Sequence, residues 1–267
     1  MGRELRYIPG GKGANQAVAA ARLGGHVTMF GSVGEDVFAD RMVDNLQRNG
    51  VDTSNISRIP GVSSGLAMIT VAEGDNSIVV IPGANEFVTP EYLEERKNAI
   101  LEADIIVLQN EIPLKSVENA AAVGRKAGKV VVYNPAPVAP LPQGILENIS
   151  YITPNEHEVS LLFPENKDLD SLLEEQGGKL IVTLGSEGAA AWAEGSILHI
   201  LARPAHVVDT TGAGDTFNGA FAVGLANAYS LEEALRFANV AASLSTEGDG
   251  AQGGMPGYGD VKAQIGE

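Results

Sequence analysis

A chain of 267 residues, 44% of them hydrophobic, is long enough to bury one large α/β core and does not require a second globular domain. With no cysteine it carries neither a disulfide framework nor a thiolate metal site, which suits a reducing cytoplasm, and no apolar run reaches the length of a membrane span. A net charge of −16 argues against a sequence-independent nucleic-acid binder, which needs a basic footprint, but not against a nucleotide site, because screening confines repulsion by distant surface charge to about 8–10 Å.

The N-terminus Met-Gly-Arg-Glu-Leu-Arg lacks the apolar core of a secretion signal. Gly10-Gly-Lys-Gly-Ala-Asn-Gln16 then runs into an Ala-rich helix over Ala14 to Leu23. Apolar runs bounded by turn residues predict strands at Val27 to Ser32, Asp104 to Gln109, Lys129 to Tyr133, Ser150 to Thr153 and Lys179 to Leu184. Between them helical spacing covers Asp36 to Arg48, Pro90 to Glu102, Leu114 to Ala127, Glu156 to Phe163 and Leu231 to Ser245. Strand and helix in turn predict an α/β fold with a mostly parallel sheet between two helical layers, and ligands at the C-terminal ends of its strands. One stretch breaks the alternation: Gly65 to Ala72, a Glu-Gly-Asp-Asn turn, and Ser77 to Pro82 read as a β-hairpin, either a lid over a site or an extension of the main sheet. The proline-rich Asn134 to Pro142 reads as a rigid loop after a strand. His26, His157, His199 and His206 show no metal-ligand spacing.

The richest segment is Asp209-Thr-Thr-Gly-Ala-Gly-Asp-Thr-Phe-Asn-Gly-Ala220, which follows a predicted short buried strand over Ala205 to Asp209 and opens a helix reaching Ala226. Gly212, Ala213 and Gly214 would present backbone N–H groups at a helix N-terminus, where they stabilise charge on a transferring phosphoryl group. A carboxylate at the mouth of such a nest repels phosphate, so Asp215 makes chemical sense as a general base for an attacking hydroxyl. The segment alone is equally compatible with an N-cap aspartate on a tight glycine turn. Likewise Asn155 and Glu158, three apart after a strand, are by themselves a capping box, and Thr183-Leu-Gly-Ser-Glu-Gly188 is by itself a β-turn.

Gly10-Gly-Lys-Gly-Ala-Asn-Gln16 and Asp209-Thr-Thr-Gly-Ala-Gly-Asp-Thr-Phe-Asn-Gly219 together resemble the paired signatures of the ribokinase-like (PfkB) carbohydrate kinases, and the resemblance covers essentially the whole chain. It implies a single domain over residues 1–267, a three-layer fold with a small β-lid supplied in part by residues 62–84, and ATP-dependent phosphorylation of a sugar, D-ribose at O5 being the leading substrate. Asp215 would be the base and Gly212, Ala213 and Gly214 the anion nest, while Gly11, Lys12, Asn15 and Glu111 would hold the sugar. Asn155, Thr183, Gly185, Gly188, Gly214 and Asn239 would bind ATP. Glu158 would act through water on Mg²⁺, and Asp209, Thr211 and Gly250 match loops that hold an activating K⁺, although Gly253 stands where a proline is expected. A homodimer through the lid is also implied, while the expectation of a cytoplasmic location comes from the lack of cysteine and of an apolar N-terminal core.

In the resembled family a first strand, ending in an Asn-x-Asp-like element, and further lid strands precede the Gly-Gly-Lys-Gly motif, whereas nine residues precede Gly10 here. That departure predicts unpaired neighbours in the middle of the sheet, weakened sugar affinity and an incomplete lid, and it leaves the dimer open. It also keeps two rivals in play within the resemblance: a kinase for deoxyribose, fructose or a nucleoside, and a non-catalytic relative that binds nucleotide or sugar without turnover. A dinucleotide-binding oxidoreductase is disfavoured, since no Gly-x-Gly-x-x-Gly joins an early strand to a helix.

Overall fold

A computed structural model describes residues 5–72, 75–142, 144–164 and 168–266. Its central sheet is assembled from β5 (Ile105–Leu108), β6 (Val130–Tyr133) and β7 (Tyr151–Ile152), paired in parallel in that order. Parallel bridges from Ile152 to Leu180 and from Asn155 to Thr183 continue it to β8 (Ile181–Thr183). There the direction changes, as β8, β9 (Ala189–Ala193) and β10 (Ser196–Ile200) pair antiparallel.

Alternation along the strands builds the layers. Val131 and Tyr133 point to one core with Leu93, Ile106, Val117 and Leu173, while Val132 between them points to the other with Ile181, Phe217, Phe221 and Leu235. The first face is covered by α3 (Pro90–Glu95), α4 (Lys97–Glu102), α5 (Leu114–Lys126) and α8 (Leu169–Gln176). The second is covered by α9 (Ala213–Ala226), α10 (Leu231–Ser245) and α11 (Tyr258–Ile265). Of the remaining helices, α1 (Lys12–Arg22) packs on α9 and shares a third core with α2 (Ala39–Arg48) through Val18 and Leu46, α6 (Ile145–Asn148) buries Ile145 in the first core, and α7 (Glu156–Leu162) packs Val159 against it. A Cβ on Gly219 of α9 would lie 2.7 Å from the carbonyl of Gln16 and 2.8 Å from the Cβ of Ala19, so only glycine lets α1 and α9 cross this closely.

The hairpin is present as β3 (Leu66–Ala72) and β4 (Asp75–Ile81), and it forms its own two-stranded sheet rather than an edge of the main one. Asp36 ties its base to α2, accepting from the Ser64 N–H (2.6 Å) and hydroxyl (3.0 Å) and from the N–H groups of Phe38 and Ala39.

Several expected elements differ. Ala205 to Asp209 is not a buried strand: Val207 and Val208 are each 58% exposed, and the N–H groups of Val208 and Asp209 both go to the carbonyl of Thr246 instead of a ladder. The single helix expected over Pro90 to Glu102 breaks at Arg96 into α3 and α4. The strand expected over Val27 to Ser32 shrinks to β1 (Gly31–Val33), which pairs with an unforeseen β2 (Ile56–Arg58) in a separate two-stranded sheet. β1 pairs on one side with β2, and β5 pairs on one side with β6. Both strands line a cavity of about 1480 Å³. Within β1 the Ser32 hydroxyl is buried and has no hydrogen-bond partner among the described residues.

Candidate active site

Polar residues sit where the parallel strands end. Gln109 and Glu111 follow β5, Asn134 follows β6, Thr153 follows β7, and Thr183 closes β8. The N-termini of α1 and α9 approach the same end, and a cleft of about 210 Å³ there is lined by Lys12, Asn134, Thr153, Asn155, Glu158, Thr183, Gly212, Gly214, Asp215 and Asn218. Placement at the carboxyl ends of a parallel sheet is what the alternation of elements predicted.

Asp215 lies in the first turn of α9 and is 7% exposed. Its Oδ2 accepts from Asn15 Nδ2 at 2.8 Å, and its Oδ1 accepts from Gln16 Nε2 at 3.0 Å. Burial pushes its pKa above the ordinary aspartate range, against the charge of Lys12 and the two amide donors, which pull it down. Glu111 is also raised by burial, aided by the charge of Asp215 and opposed by Lys12, whose backbone N–H donates to Glu111 Oε2 at 2.7 Å. A buried carboxylate with a raised pKa in a cleft has the properties required of a general base.

The expected anion nest is refined by its hydrogen bonds. Gly212 is the N-cap of α9 with φ 80, and the N–H of Ala213 donates to the Thr210 carbonyl at 3.2 Å. Ala213 therefore serves the turn, while Gly212 and Gly214 border the cleft. A Cβ on Gly212 would lie 2.3 Å from the Ala251 carbonyl, and its left-handed φ alone costs a non-glycine residue about 1–2 kcal/mol. Gly212→Ala is thus expected to lower Tm by at least about 2–4 °C. Gly214→Ala, whose Cβ meets no atom within 4 Å, should melt normally yet turn over more slowly because the methyl group enters the cleft. Thermal melts and steady-state rates of the two variants check this pair.

Other expected site residues divide into those brought to the cleft and those spent elsewhere. Asn155 and Glu158 do form a capping box: Glu158 N–H donates to Asn155 Oδ1 (2.8 Å) and Asn155 N–H to Glu158 Oε2 (2.9 Å), and both still border the cleft. Lys12 and Thr183 line it as well. Gly11, with φ 94, is the N-cap of α1, and Asn15 is buried against Asp215. Asp209 Oδ1 accepts from the Thr211 N–H and hydroxyl, and its Oδ2 from the Gly250 N–H at 2.9 Å, which ties the two loops together and holds the carboxyl below the ordinary range. Gly185 opens a short 3-10 turn and Gly188 closes it at the start of β9, neither lining the cleft. Asn239 is buried in α10 and donates to the Ile200 carbonyl at 2.7 Å, a link between helix and sheet. Among the described residues no three His, Asp or Glu side chains cluster to cage a metal, so a divalent ion here would be held largely by phosphate and water, with Glu158 the nearest fit.

Three cleft residues carried no local signal. Asn134 donates to the Thr153 carbonyl (3.0 Å), Thr153 donates its hydroxyl to Asn218 Oδ1 (2.6 Å), and Asn218 donates to the Gly214 carbonyl (2.9 Å), buttressing the turn below Asp215.

The description "pfkB family carbohydrate kinase" fits residues 2–257. The ribokinase of Bacillus subtilis (strain 168) is 46% identical over 262 residues, covering 98% of this chain and 89% of the relative. Among solved structures, Thermotoga maritima ribokinase superposes with a TM-score of 0.90 at 34% identity, over 99% of this chain and 90% of that one. Arabidopsis thaliana ribokinase complexed with ribose and ATP gives a TM-score of 0.90 at 33% identity, over 97% and 88%. With the two signature segments meeting at Asp215 and the family description spanning nearly the whole chain, the protein belongs to the pfkB family of carbohydrate kinases.

Proposed function

We propose that this chain transfers the γ-phosphoryl group of ATP to O5 of D-ribose, giving ribose 5-phosphate and ADP. The observation that carries the reading is Asp215, a buried carboxylate of raised pKa at the helix N-terminus that borders the cleft. Its similarity to ribokinases along nearly the whole chain supports ribose as the acceptor. Asp215 takes the O5 proton as O5 bonds to the γ-phosphorus, and the bond from that phosphorus to the β–γ bridging oxygen breaks as ADP leaves. The Gly212 and Gly214 amides and the positive end of α9 stabilise the charge on the transferring group.

Gly11, Lys12, Asn15 and Glu111 orient the sugar from the N-terminus of α1 and the end of β5. Asn155 and Thr183 position the triphosphate, and Gly185, Gly188 and Asn239 support the ATP side from behind. Mg²⁺ on the phosphates supplies charge neutralisation when bound, with Glu158 acting on its waters. Asp209, Thr211 and Gly250 would hold K⁺, the two loops being already joined through the Asp209 carboxylate. The β3–β4 hairpin, whose Met68, Ile69, Val79 and Val80 are more than half exposed, closes over the sugar and pairs with its copy in a homodimer. The reaction runs in the cytoplasm, where ATP and Mg²⁺ are supplied; among the described residues no helix is long and apolar enough to cross a membrane.

The test is ADP release with Mg²⁺, K⁺ and ATP, with and without D-ribose. ADP formation is expected to depend on D-ribose and to rise with K⁺. Dependence on deoxyribose or fructose in its place would reassign the substrate, and no sugar dependence in a folded protein would overturn the kinase reading.

A further inference from the structure

We propose that Gln16 and Gln252 are positioning residues for Asp215, each passing on the polarity of a one-way chain of side-chain amides that delivers an N–H to one oxygen of its carboxylate. The inference rests on Asp215 being the base. In the first chain Gln109 Nε2 donates to Gln16 Oε1 at 2.6 Å, and Gln16 Nε2 donates to Asp215 Oδ1 at 3.0 Å. In the second Asn45 Nδ2 donates to Gln252 Oε1 (2.8 Å), Gln252 Nε2 donates to Asn15 Oδ1 (2.9 Å), and Asn15 Nδ2 donates to Asp215 Oδ2 (2.8 Å). Asn15, Gln16, Gln252 and Asp215 are all buried.

A carboxamide has a donor end and an acceptor end, and turning it by half a revolution exchanges them at almost no steric cost. Beside a buried carboxylate the exchange matters, because the wrong end places an amide oxygen against a negative oxygen. Capping the oxygen of Gln16 with Gln109, and that of Asn15 with Gln252, fixes both orientations. Gln252 is fixed in turn by Asn45 at its side chain and by Arg22, which donates to its carbonyl at 2.6 Å. Thus α2, the loop before α11 and the end of β5 each contribute to how Asp215 is held. Two N–H groups on the ionised carboxylate oppose the burial that would keep it protonated, and they leave its plane fixed for proton transfer. The charged groups facing Asp215 are Lys12 from α1, which favours ionisation, and Glu111 from the end of β5, which opposes it.

The experiment compares Gln252→Glu and Gln252→Met with the parent in the pH dependence of kcat/KM, at saturating ATP and K⁺. Gln252→Glu replaces the donor by an acceptor of the same shape, so Asn15 turns its N–H toward residue 252 and its oxygen toward Asp215. The acid limb should rise by about one pH unit. Gln252→Met removes the donor and adds no charge; it should raise the limb by less and recover most of the parent rate on the alkaline plateau. If Asp215→Ala is inactive while both Gln252 variants keep the parent limb, at whatever Tm, the positioning role alone is overturned. A limb raised by Glu and unmoved by Met reports only the added charge and overturns it too. Ribose-dependent turnover surviving in Asp215→Ala overturns both this inference and the base reading beneath it.

Discussion

Asp215→Ala is expected to lower sugar-dependent ADP formation by about 10²–10⁴-fold, the share of the barrier that a positioned general base removes. The loss should fall on kcat rather than on the KM for ATP, since the Gly212 and Gly214 amides and the strand-end residues Asn155 and Thr183 remain in place. A pH profile of the parent enzyme supplies the matching signature. Only the ionised carboxylate accepts the hydroxyl proton, and burial raises the pKa of Asp215. Activity should therefore fall away on the acid side at a higher pH than an ordinary aspartate would impose, and remain through the alkaline side until another group titrates. Equal kcat in Asp215→Ala and the parent would remove Asp215 from the chemistry, and a profile flat down to the ordinary aspartate range would remove its burial from the explanation.

The parts of this site that were legible in the sequence are those with short-range causes. Gly212 to Asp215 opens α9 because a left-handed glycine cap and small residues leave few alternatives, and Val130 to Tyr133 forms β6 because a short apolar run fits a strand buried on both faces. What was illegible has long-range causes. Gln16, Asn134, Thr153, Asn218 and Gln252 act through partners far away in the chain, and a lone amide in a helix or loop does not announce which carboxylate it will face. The β9–β10 hairpin was missed because Glu194 and Gly195 make its two-residue turn with φ of 50 and 81, and Glu-Gly is not among the usual pairs for that geometry. Val207 and Val208 misled in the opposite direction. Their apolar run suggested a buried strand, but the N–H groups of His206, Val208 and Asp209 go to Glu247 and Thr246 instead of a ladder, and both valines lie exposed.

The expectation of unpaired neighbours in the middle of the sheet leads to the second large effect. Among the described residues β1 and β5 each pair on one side only, and both border the cavity of about 1480 Å³, with Ala17 and Ala20 of α1 on one wall and Leu93 and Ile100 on the other. Walls of this kind fit a strand that is apolar on both faces. Tyr7, Ile8 and Gly10 also line the cavity. Burying five Val, Ile or Leu side chains there contributes about 1.5–3 kcal/mol each. Ordering them costs about 1.5 kcal/mol per residue. A net gain of about 3 kcal/mol translates into a Tm higher by roughly 6–12 °C for a chain of this size. A version extended by such a strand should therefore melt higher, bind less of a dye that reports exposed apolar surface, and protect the backbone amides of β1 and β5 from hydrogen exchange. An extension of the same length made of Gly, Ser and Asn is the control, because it has the reach without the side chains. Equal Tm and equal amide protection for the two extensions would show that the cavity does not select an apolar strand. A higher Tm accompanied by a lower KM for the sugar would tie the filled sheet to the site, since Gly11 and Glu111 lie at the ends of the two elements, α1 and β5, that the new strand would brace.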